Sequence, residues 1–101
     1  MPAYVIAHTG NFRDAAALDE YRRRNTDAVA HHGGRFLVRG GDVQVLEGTW
    51  EHERCVMMEF ADADAARGWY QSDEYAPLKA MRQAASSTMM ILVPGIEQPT
   101  S

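Results

Sequence analysis

Apolar and polar positions in the first third of the chain follow a strand pattern and then a helix pattern. Residues 3–9 (AYVIAHT) form a β-rich run that Gly10 and Asn11 close, which predicts a first strand. Asp14 suits an N-cap, and apolar residues then recur at helical spacing up to a glycine pair at 33 and 34. We therefore predict a helix that follows Asp14 and ends near residue 32. Its apolar face consists of Leu18, Tyr21, Ala28 and Val29.

The middle of the chain carries strand patterns that glycine interrupts. Residues 35–38 (RFLV) and 43–46 (VQVL) are predicted as two halves of one strand. The glycine pair between them, at 40 and 41, is typical of a bulge, a bend or a turn. Residues 47–53 then connect to the next predicted strand, residues 54–60 (RCVMMEF).

Two short helices and a last strand complete the predicted order. Asp62 is expected to cap a helix that carries Ala65, Ala66, Trp69 and Tyr70. Residues 72–74 (SDE) indicate a second N-terminus, and Pro77 indicates an irregular first turn or a late start. This second helix carries Leu78, Met81 and Ala85. Residues 88–93 (TMMILV) are the predicted final strand.

The order strand, helix, strand, strand, helix, strand predicts an α+β, ferredoxin-like βαββαβ fold. Its four-stranded antiparallel sheet should carry the helices on one face only. The predicted strands 54–60 and 88–93 are apolar at both odd and even positions, which is typical of a sheet buried on two sides. Since the helices cover one face, we expect a second copy to cover the other, giving a homodimer across the open sheet face.

Composition narrows the class of protein. The chain has 101 residues, of which 46% are hydrophobic, and this predicts a single domain over residues 1–95 with a flexible tail at 96–101. Its formal charge is −4 and its arginines are dispersed among carboxylates, so nucleic acid is not an expected partner. We find no signal-peptide pattern and no apolar run of membrane-spanning length, and expect a cytoplasmic protein without a membrane partner.

The segment 31–41 (HHGGRFLVRGG) supplies the candidate ligand-binding residues that carry the most weight. Arg39 precedes bare glycine backbone at Gly40, and a guanidinium fork beside free amides suits a carboxylate or an enolate oxygen. The alternative is that Arg39 is an edge-strand charge that discourages pairing with a stray chain. We expect Arg39 to lie at the polar end of a cleft between the helices and the sheet.

Further candidates for this cleft come from the helices. Asn25 and His32 share the apolar helix face, which directs both toward the sheet, although a C-terminal histidine can also cap the helix. Tyr75 lies at the break between the two later helices, where a hydroxyl suits a cleft wall, whereas Trp69 is expected in the core. His31 points away from its neighbour and is predicted to be exposed. The candidate catalytic residues are therefore His32, Arg39 and Tyr75.

Strand ends provide a third group of candidates. His8 and Glu59 could meet on one sheet face, and such a pair suits proton abstraction next to a carbonyl. The alternative is a structural ion pair of Glu59 with Arg39 or Arg82. The candidate ligand-binding residues are His8, Asn25, Arg39, Gly40, Glu59 and Arg82.

Motifs for metals and cofactors are missing from the sequence. The four histidines and the lone Cys55 form no HxH, HxxE or CxxC spacing, and Cys55 is predicted to be a small core residue. The glycines form neither a GxGxxG motif nor a P-loop, so we predict no metal and no nucleotide cofactor. Composition alone leaves haem open, with His8 and His32 as the most suitable ligands.

The runs AHHGGRFLVRGG, VLEGTW and EFADADAARGWYQSDEYAPLKAMRQAA, with the closing apolar strand, resemble the domain of unknown function 1330 family over residues 3–95. The resemblance implies the dimeric α/β barrel superfamily, in which two ferredoxin-like sheets pack face to face. Members of that superfamily include cofactor-independent monooxygenases, lactone isomerases, haem-degrading enzymes and stress proteins, so the fold does not select a chemistry.

Three classes of function are compatible with these observations. The first is a cofactor-independent enzyme, of the monooxygenase or isomerase type, acting on a small carbonyl or phenolic compound. The second is a noncatalytic binder that uses the same cleft, and the third is a homodimer whose polar residues form buried ion pairs. An open cleft near Arg39 would favour the first two classes, whereas a helix–sheet space filled by Trp69, Tyr70 and methionines would favour the third.

Overall fold

The computed structural model of the protein describes residues 1–96, so all but the first residue of the predicted tail lies outside the described part. The elements, in chain order, are β1 (Ala3–Gly10), α1 (Ala15–His31), β2 (Arg35–Arg39), β3 (Arg54–Phe60), α2 (Ala63–Tyr70), α3 (Ala76–Ala85) and β4 (Ser87–Pro94). The strands form one antiparallel sheet in the order β2-β3-β1-β4. This order confirms the predicted ferredoxin-like plan.

The ends of the helices follow local side-chain chemistry. The Asp14 carboxylate accepts a hydrogen bond from the backbone N–H of Ala17 at 3.1 Å, and Asp62 caps α2 in the same way. At the other end of α1, Gly33 adopts a φ of +75°, a conformation that favours glycine, and the chain turns into β2. The Ser72 hydroxyl accepts from the N–H of Tyr75, so α3 starts after this turn, later than residues 72–74 alone suggest.

The prediction of a strand over residues 43–46 is wrong. β2 ends at Arg39, and residues 40–53 form a loop without regular structure. The physical reason is the lack of a partner: Arg39 already pairs with Val56, and β3 begins only at Arg54. Val45 and Leu46 are consequently exposed, Leu46 to 94%.

Successive residues of β1, β3 and β4 point to opposite sides of the sheet, whereas a register irregularity between Phe36 and Val38 interrupts this alternation in β2. In β1, Ala3, Val5 and Ala7 are buried against the helices, and the residues between them face the open side. The core between sheet and helices contains large side chains that are almost fully buried, namely Val29, Met58, Phe60, Trp69, Tyr75 and Leu78. Trp69 therefore lies in the core, as predicted.

The open side of the sheet is apolar at its centre. Ile6 pairs with Met57 on one side and with Ile91 on the other, and Ile91 is 57% exposed. Cys55 is half-buried on this same side, so it is not the core residue that the sequence predicts. Within residues 1–96, no helix has both the length and the apolar character that crossing a membrane requires.

Candidate functional site

A cleft of about 50 Å³ lies between α1, α3 and the helix-facing side of the sheet. Its apolar wall includes Ala7, Leu18, Phe36, Val56, Met58 and Met90. Its polar wall includes Thr9, Tyr21, Asn25 and Thr88. Four arginines complete the lining, namely Arg22, Arg39, Arg54 and Arg82.

The cleft concentrates positive charge in a protein whose formal charge is −4. No aspartate or glutamate belongs to its lining among the described residues. Arg22 pairs with the exposed Asp19 at 2.9 Å, away from the cleft. The pKa of Arg54 is lowered by partial burial and by the positive charges of Arg22 and Arg39. Arg22, Arg39 and Arg54 thus repel one another, and a negative group between them would be stabilising.

Arg82 is the most deeply buried of the four, with only 7% of its surface exposed. It belongs to α3, and its Nε donates to the hydroxyl of Tyr75 at 3.3 Å. It forms no salt bridge with a described carboxylate. A buried charge without a carboxylate partner is costly, so Arg82 is a candidate anion-binding residue of the cleft.

A chain of hydrogen bonds fixes the wall behind Arg82. The Trp69 indole N–H donates to the Asn25 side-chain oxygen at 3.0 Å, and the Asn25 amide nitrogen lies 3.5 Å from the Tyr21 hydroxyl. The hydroxyls of Tyr21 and Tyr75 are 2.8 Å apart. Burial, and then the neighbouring Tyr75, raise the pKa of Tyr21 far above its usual range. Tyr21 is therefore a neutral hydroxyl at physiological pH and cannot act as a base.

Arg39 spans the mouth of the cleft. One of its nitrogens donates to the Thr26 hydroxyl at 2.7 Å, another donates to the backbone carbonyl of Arg22, and the guanidinium lies 3.9 Å from the centre of the Phe36 ring. These two bonds occupy two of the five N–H groups of a guanidinium, so donors remain for a ligand. Arg39 is thus both a clamp between β2 and α1 and a cleft residue.

Gly40 affects the position of Arg54 because it has no side chain. Its φ is +86°, and a Cβ atom there would lie 2.5 Å from a guanidinium nitrogen of Arg54. The positive φ favours glycine, and the missing Cβ leaves room for the Arg54 guanidinium over this backbone. Gly40 itself is not part of the cleft lining, so it bears on the cleft through its contact with Arg54.

The structure does not bring the other two candidate catalytic residues to Arg39. The His32 ring lies 2.8 Å from the carbonyl of Ala28, which is the capping arrangement, and it faces Gly68 of α2 instead of the cleft. Tyr75 is fully buried behind the cleft, where it contacts Tyr21 and Arg82. His32 therefore has a capping position, and Tyr75 supports the wall without lining it.

His8 and Glu59 lie on the open side of the sheet, opposite to the cleft. His8 is beside Cys55 in the register, whereas Glu59 is beside Tyr4, so the two side chains are four residues apart along β3. Glu59 pairs with Arg35 at 2.8 Å, and therefore forms neither the ion pair with Arg39 nor the one with Arg82 that we considered. The expectation that His8 and Glu59 join the cleft residues is not met within one subunit.

The surroundings of His8 offer no metal site. Its ring is 4.7 Å from that of Trp50 and 4.8 Å from that of His52, and its Nδ1 has no hydrogen-bond partner among the described residues. Over the same range, residues 1–96, no group of three or more histidine, cysteine or acidic side chains is arranged to hold a metal ion.

His31 is exposed, as predicted, and pairs with Glu74 at 2.8 Å.

Comparison with known proteins identifies the family. The model of a domain of unknown function, DUF1330, matches residues 2–96. The chain belongs to the DUF1330 family. No curated protein matches it.

Several solved structures share the fold of this DUF1330 protein at low sequence identity. A protein of unknown function from Rhodopseudomonas palustris is 16% identical, with 96% of this chain and 84% of that chain covered and a TM-score of 0.75. A dimeric ferredoxin-like protein of unknown function from Jannaschia is 13% identical, with coverage of 94% and 100% and a TM-score of 0.68. SnoaB, a cofactor-independent oxygenase from Streptomyces nogalater, is 17% identical, with coverage of 96% and 94% and a TM-score of 0.61.

Sequence reasoning missed two of the four arginines that line the cleft in this DUF1330 protein. Arg22 follows Leu18 by four residues on the apolar face of α1, and Arg54 shares the parity of Val56 and Met58 in β3. Both spacings were readable signals for the helix-facing side. They were overlooked because an arginine at a helix surface or a strand end is usually solvated.

Proposed function

We propose that this DUF1330 protein binds a small organic anion in the cleft between helices and sheet. The observation that carries the proposal is Arg82, a buried guanidinium that has no carboxylate partner among the described residues and that lines the cleft. A bound carboxylate would supply the missing counter-charge. Arg39 and Arg54, at the cleft mouth, would contribute further donors because guanidinium groups bind carboxylates bidentately.

The lining supports binding more strongly than catalysis. It contains no histidine and no carboxylate among the described residues, and the Tyr21 hydroxyl keeps its proton. Abstracting a proton from a substrate requires a group that is basic at the working pH. The cleft is therefore rich in donors and lacks a base, which favours a noncatalytic anion binder over the oxygenase activity that SnoaB has.

A matched pair of ligands and of variants tests this proposal. Thermal shift and calorimetry would compare propionate with propionamide, which has a similar shape but no charge. We expect propionate to bind and propionamide not to bind. Arg39→Met should weaken propionate binding by about 1.5–3 kcal/mol, the scale of a hydrogen bond to a charged group. Arg23→Met removes an exposed arginine of α1 that does not line the cleft, and should leave affinity unchanged.

Thr26→Val separates the two roles of Arg39. This variant removes the hydroxyl that accepts from Arg39 and keeps the guanidinium. We expect a stability loss of roughly 1 kcal/mol with most of the affinity for propionate retained. Equal binding of propionate and propionamide, or equal losses of affinity in Arg39→Met and Arg23→Met, would reject the anion site.

We also infer that two copies associate through their open sheet faces. Ile91 and Met89 of β4 are more than half exposed on that face, at 57% and 51%. Exposed apolar surface of this kind marks an interaction site. The Jannaschia protein, which shares the fold, is described as dimeric, and this supports the formation of a dimer here.

A further inference from the structure

A second cavity lies close to the arginine cleft and differs from it in character. It has a volume of about 160 Å³ and is formed by α2 together with β1 and β4. Its wall consists mainly of Val5, Ala66, Trp69, Tyr70, Met90 and Leu92. Arg67 is the one charged residue that the described structure adds to this lining. Since an apolar cavity of roughly 150 Å³ can take up one benzene ring, the space suits a single aromatic group.

Met90 belongs to the lining of both spaces. In the sheet register it pairs with Ala7, which lines the arginine cleft, and the next residue of β4 on the same side is Leu92, which lines the apolar cavity. Successive residues of a strand on one side are roughly 7 Å apart. The two spaces are therefore neighbours, and the Met90 side chain stands between them.

The side chain of Met90 is flexible enough to move out of the space between the arginine cleft and the apolar cavity. Methionine is unbranched and has three rotatable side-chain bonds, so it changes shape more easily than other apolar residues of its size. Met90 is only partly buried, and the residue beside it, Ala7, leaves room for movement. A rotation of Met90 would join the arginine cleft to the apolar cavity without displacing the backbone.

We propose that Met90 selects the ligand of this protein, which is a carboxylate that carries one aromatic ring. The carboxylate lies at Arg82 and Arg39, and the ring passes Met90 into the apolar cavity beside Trp69. This inference rests on the proposed anion site, because the arginines hold the charged end. It adds the class of ligand and the residue that discriminates by shape. The short separation of the spaces fits a ring joined to its carboxylate by a short chain, as in hydrocinnamate.

The test compares ligands that share a carboxylate and differ in the ring. Hydrocinnamate should bind at least about tenfold more tightly than propionate, because burying a ring removes a large apolar surface from water. Met90→Ile keeps a similar volume and stiffens the side chain. We expect Met90→Ile to weaken the binding of hydrocinnamate and to leave the binding of propionate unchanged. Met90→Ala should bind hydrocinnamate at least as well as the native protein does.

A second measurement on residue 69 does not depend on how the Met90 variants fold. The protein has two tryptophans, so Trp50→Phe leaves Trp69 as the one indole fluorophore. A brominated hydrocinnamate should quench this fluorescence, and brominated hydrocinnamide, which lacks the charge, should not. Quenching by the acid supports the inference.

Two results would overturn the inference, and they are distinguishable. If propionate and hydrocinnamate bind equally and Trp69 is not quenched, the ring stays outside and Met90 selects nothing, while the anion site stands. If no carboxylate binds the native protein, the anion site fails and the inference fails with it.

Discussion

The two sides of the sheet are both apolar, yet only one of them is covered. On the helix side, Val5 and Met58 are 4% and 2% exposed, whereas on the open side Met89 and Ile91 are more than half exposed. Strand residues alternate between these sides, so the same few segments supply both surfaces. An apolar pattern in the sequence therefore indicates that a surface will be covered, but not which element or molecule covers it.

The polar residues of the two sides differ in a way that supports the proposed anion site. On the open side Glu59 and Arg35 neutralise each other at 2.8 Å. On the helix side Arg54 and Arg82 have no carboxylate partner among the described residues. Compensated charge suits a surface that associates, and uncompensated charge in a cleft suits a ligand.

Removing a large side chain from the covered side should have the largest effect on stability. Trp69 is fully buried and donates to Asn25, so Trp69→Ala should lower the free energy of unfolding by about 3–5 kcal/mol. Trp50→Ala is the matched control on the open side, where the ring is 38% exposed, and should cost clearly less. Urea unfolding measures both. Equal losses would mean that the two sides are not distinguished by burial.

A charge on the open side should affect association instead of folding. Ile91→Glu places a carboxylate on the exposed apolar surface of β4, where a partner copy would bury it. By light scattering at micromolar concentration, the native protein should have the mass of a dimer and the variant that of a monomer. Ala80→Glu, on the exposed surface of α3, should stay dimeric. A native monomer, or a dimeric Ile91→Glu, would contradict an interface at this face.

Tyr21, in the wall of the cleft, should make the stability of the protein sensitive to alkali. Burial, followed by Tyr75, raises the pKa of Tyr21, whereas in the unfolded chain a tyrosine loses its proton near pH 10, roughly its usual pKa. Above that pH the unfolded state binds fewer protons than the folded state, so stability that is fully present below it is lost as pH rises. Tyr21→Phe should flatten the fall of unfolding free energy with pH in this range.

The control for this prediction lies within the same titration. Between pH of about 6 and 8, Tyr21 is protonated in both states, so the curves of the native protein and of Tyr21→Phe should run parallel. Chemical unfolding over the whole pH range checks both parts. Curves that remain parallel above pH of about 10 would show that Tyr21 is not buried as the structure describes.

Local patterns were sufficient to predict most of the fold. Asp14 and Asp62 cap their helices through bonds to backbone N–H groups three residues later, which is a relation within a few residues of sequence. The prediction of a strand at residues 43–46 was wrong because a strand also needs a partner. β3 begins at Arg54 and offers no residues before it for pairing. Pairing is a property of two segments, so one segment alone could not reveal it.

The residues of the candidate site could be predicted where residue spacing along a helix fixes the direction of the side chain. Asn25, Arg39 and Arg82 line the cleft. The helical spacing of Asn25 and Arg82 shows their inward direction, whereas Arg39 faces inward because of the register irregularity between Phe36 and Val38. His8 and Glu59 were placed with them because strand parity does not tell which side carries the helices. His32 lies at a helix end, where a turn decides between capping a carbonyl and facing the sheet.

The smallest effect on stability is expected from removing the C-terminal residues that follow the sheet. The N–H of Gly95 donates to the carbonyl of Pro2 at 2.8 Å, and Val93 pairs with Tyr4, whereas Ile96 is 72% exposed. Truncation after Gly95 should therefore change Tm by less than about 2 °C, since 1 kcal/mol corresponds to roughly 4–8 °C in a domain of this size. Truncation after Leu92 removes the strand end and should lower Tm further. A large fall in Tm on removing residues 96–101 alone would contradict this prediction and would indicate that the tail docks on a partner subunit.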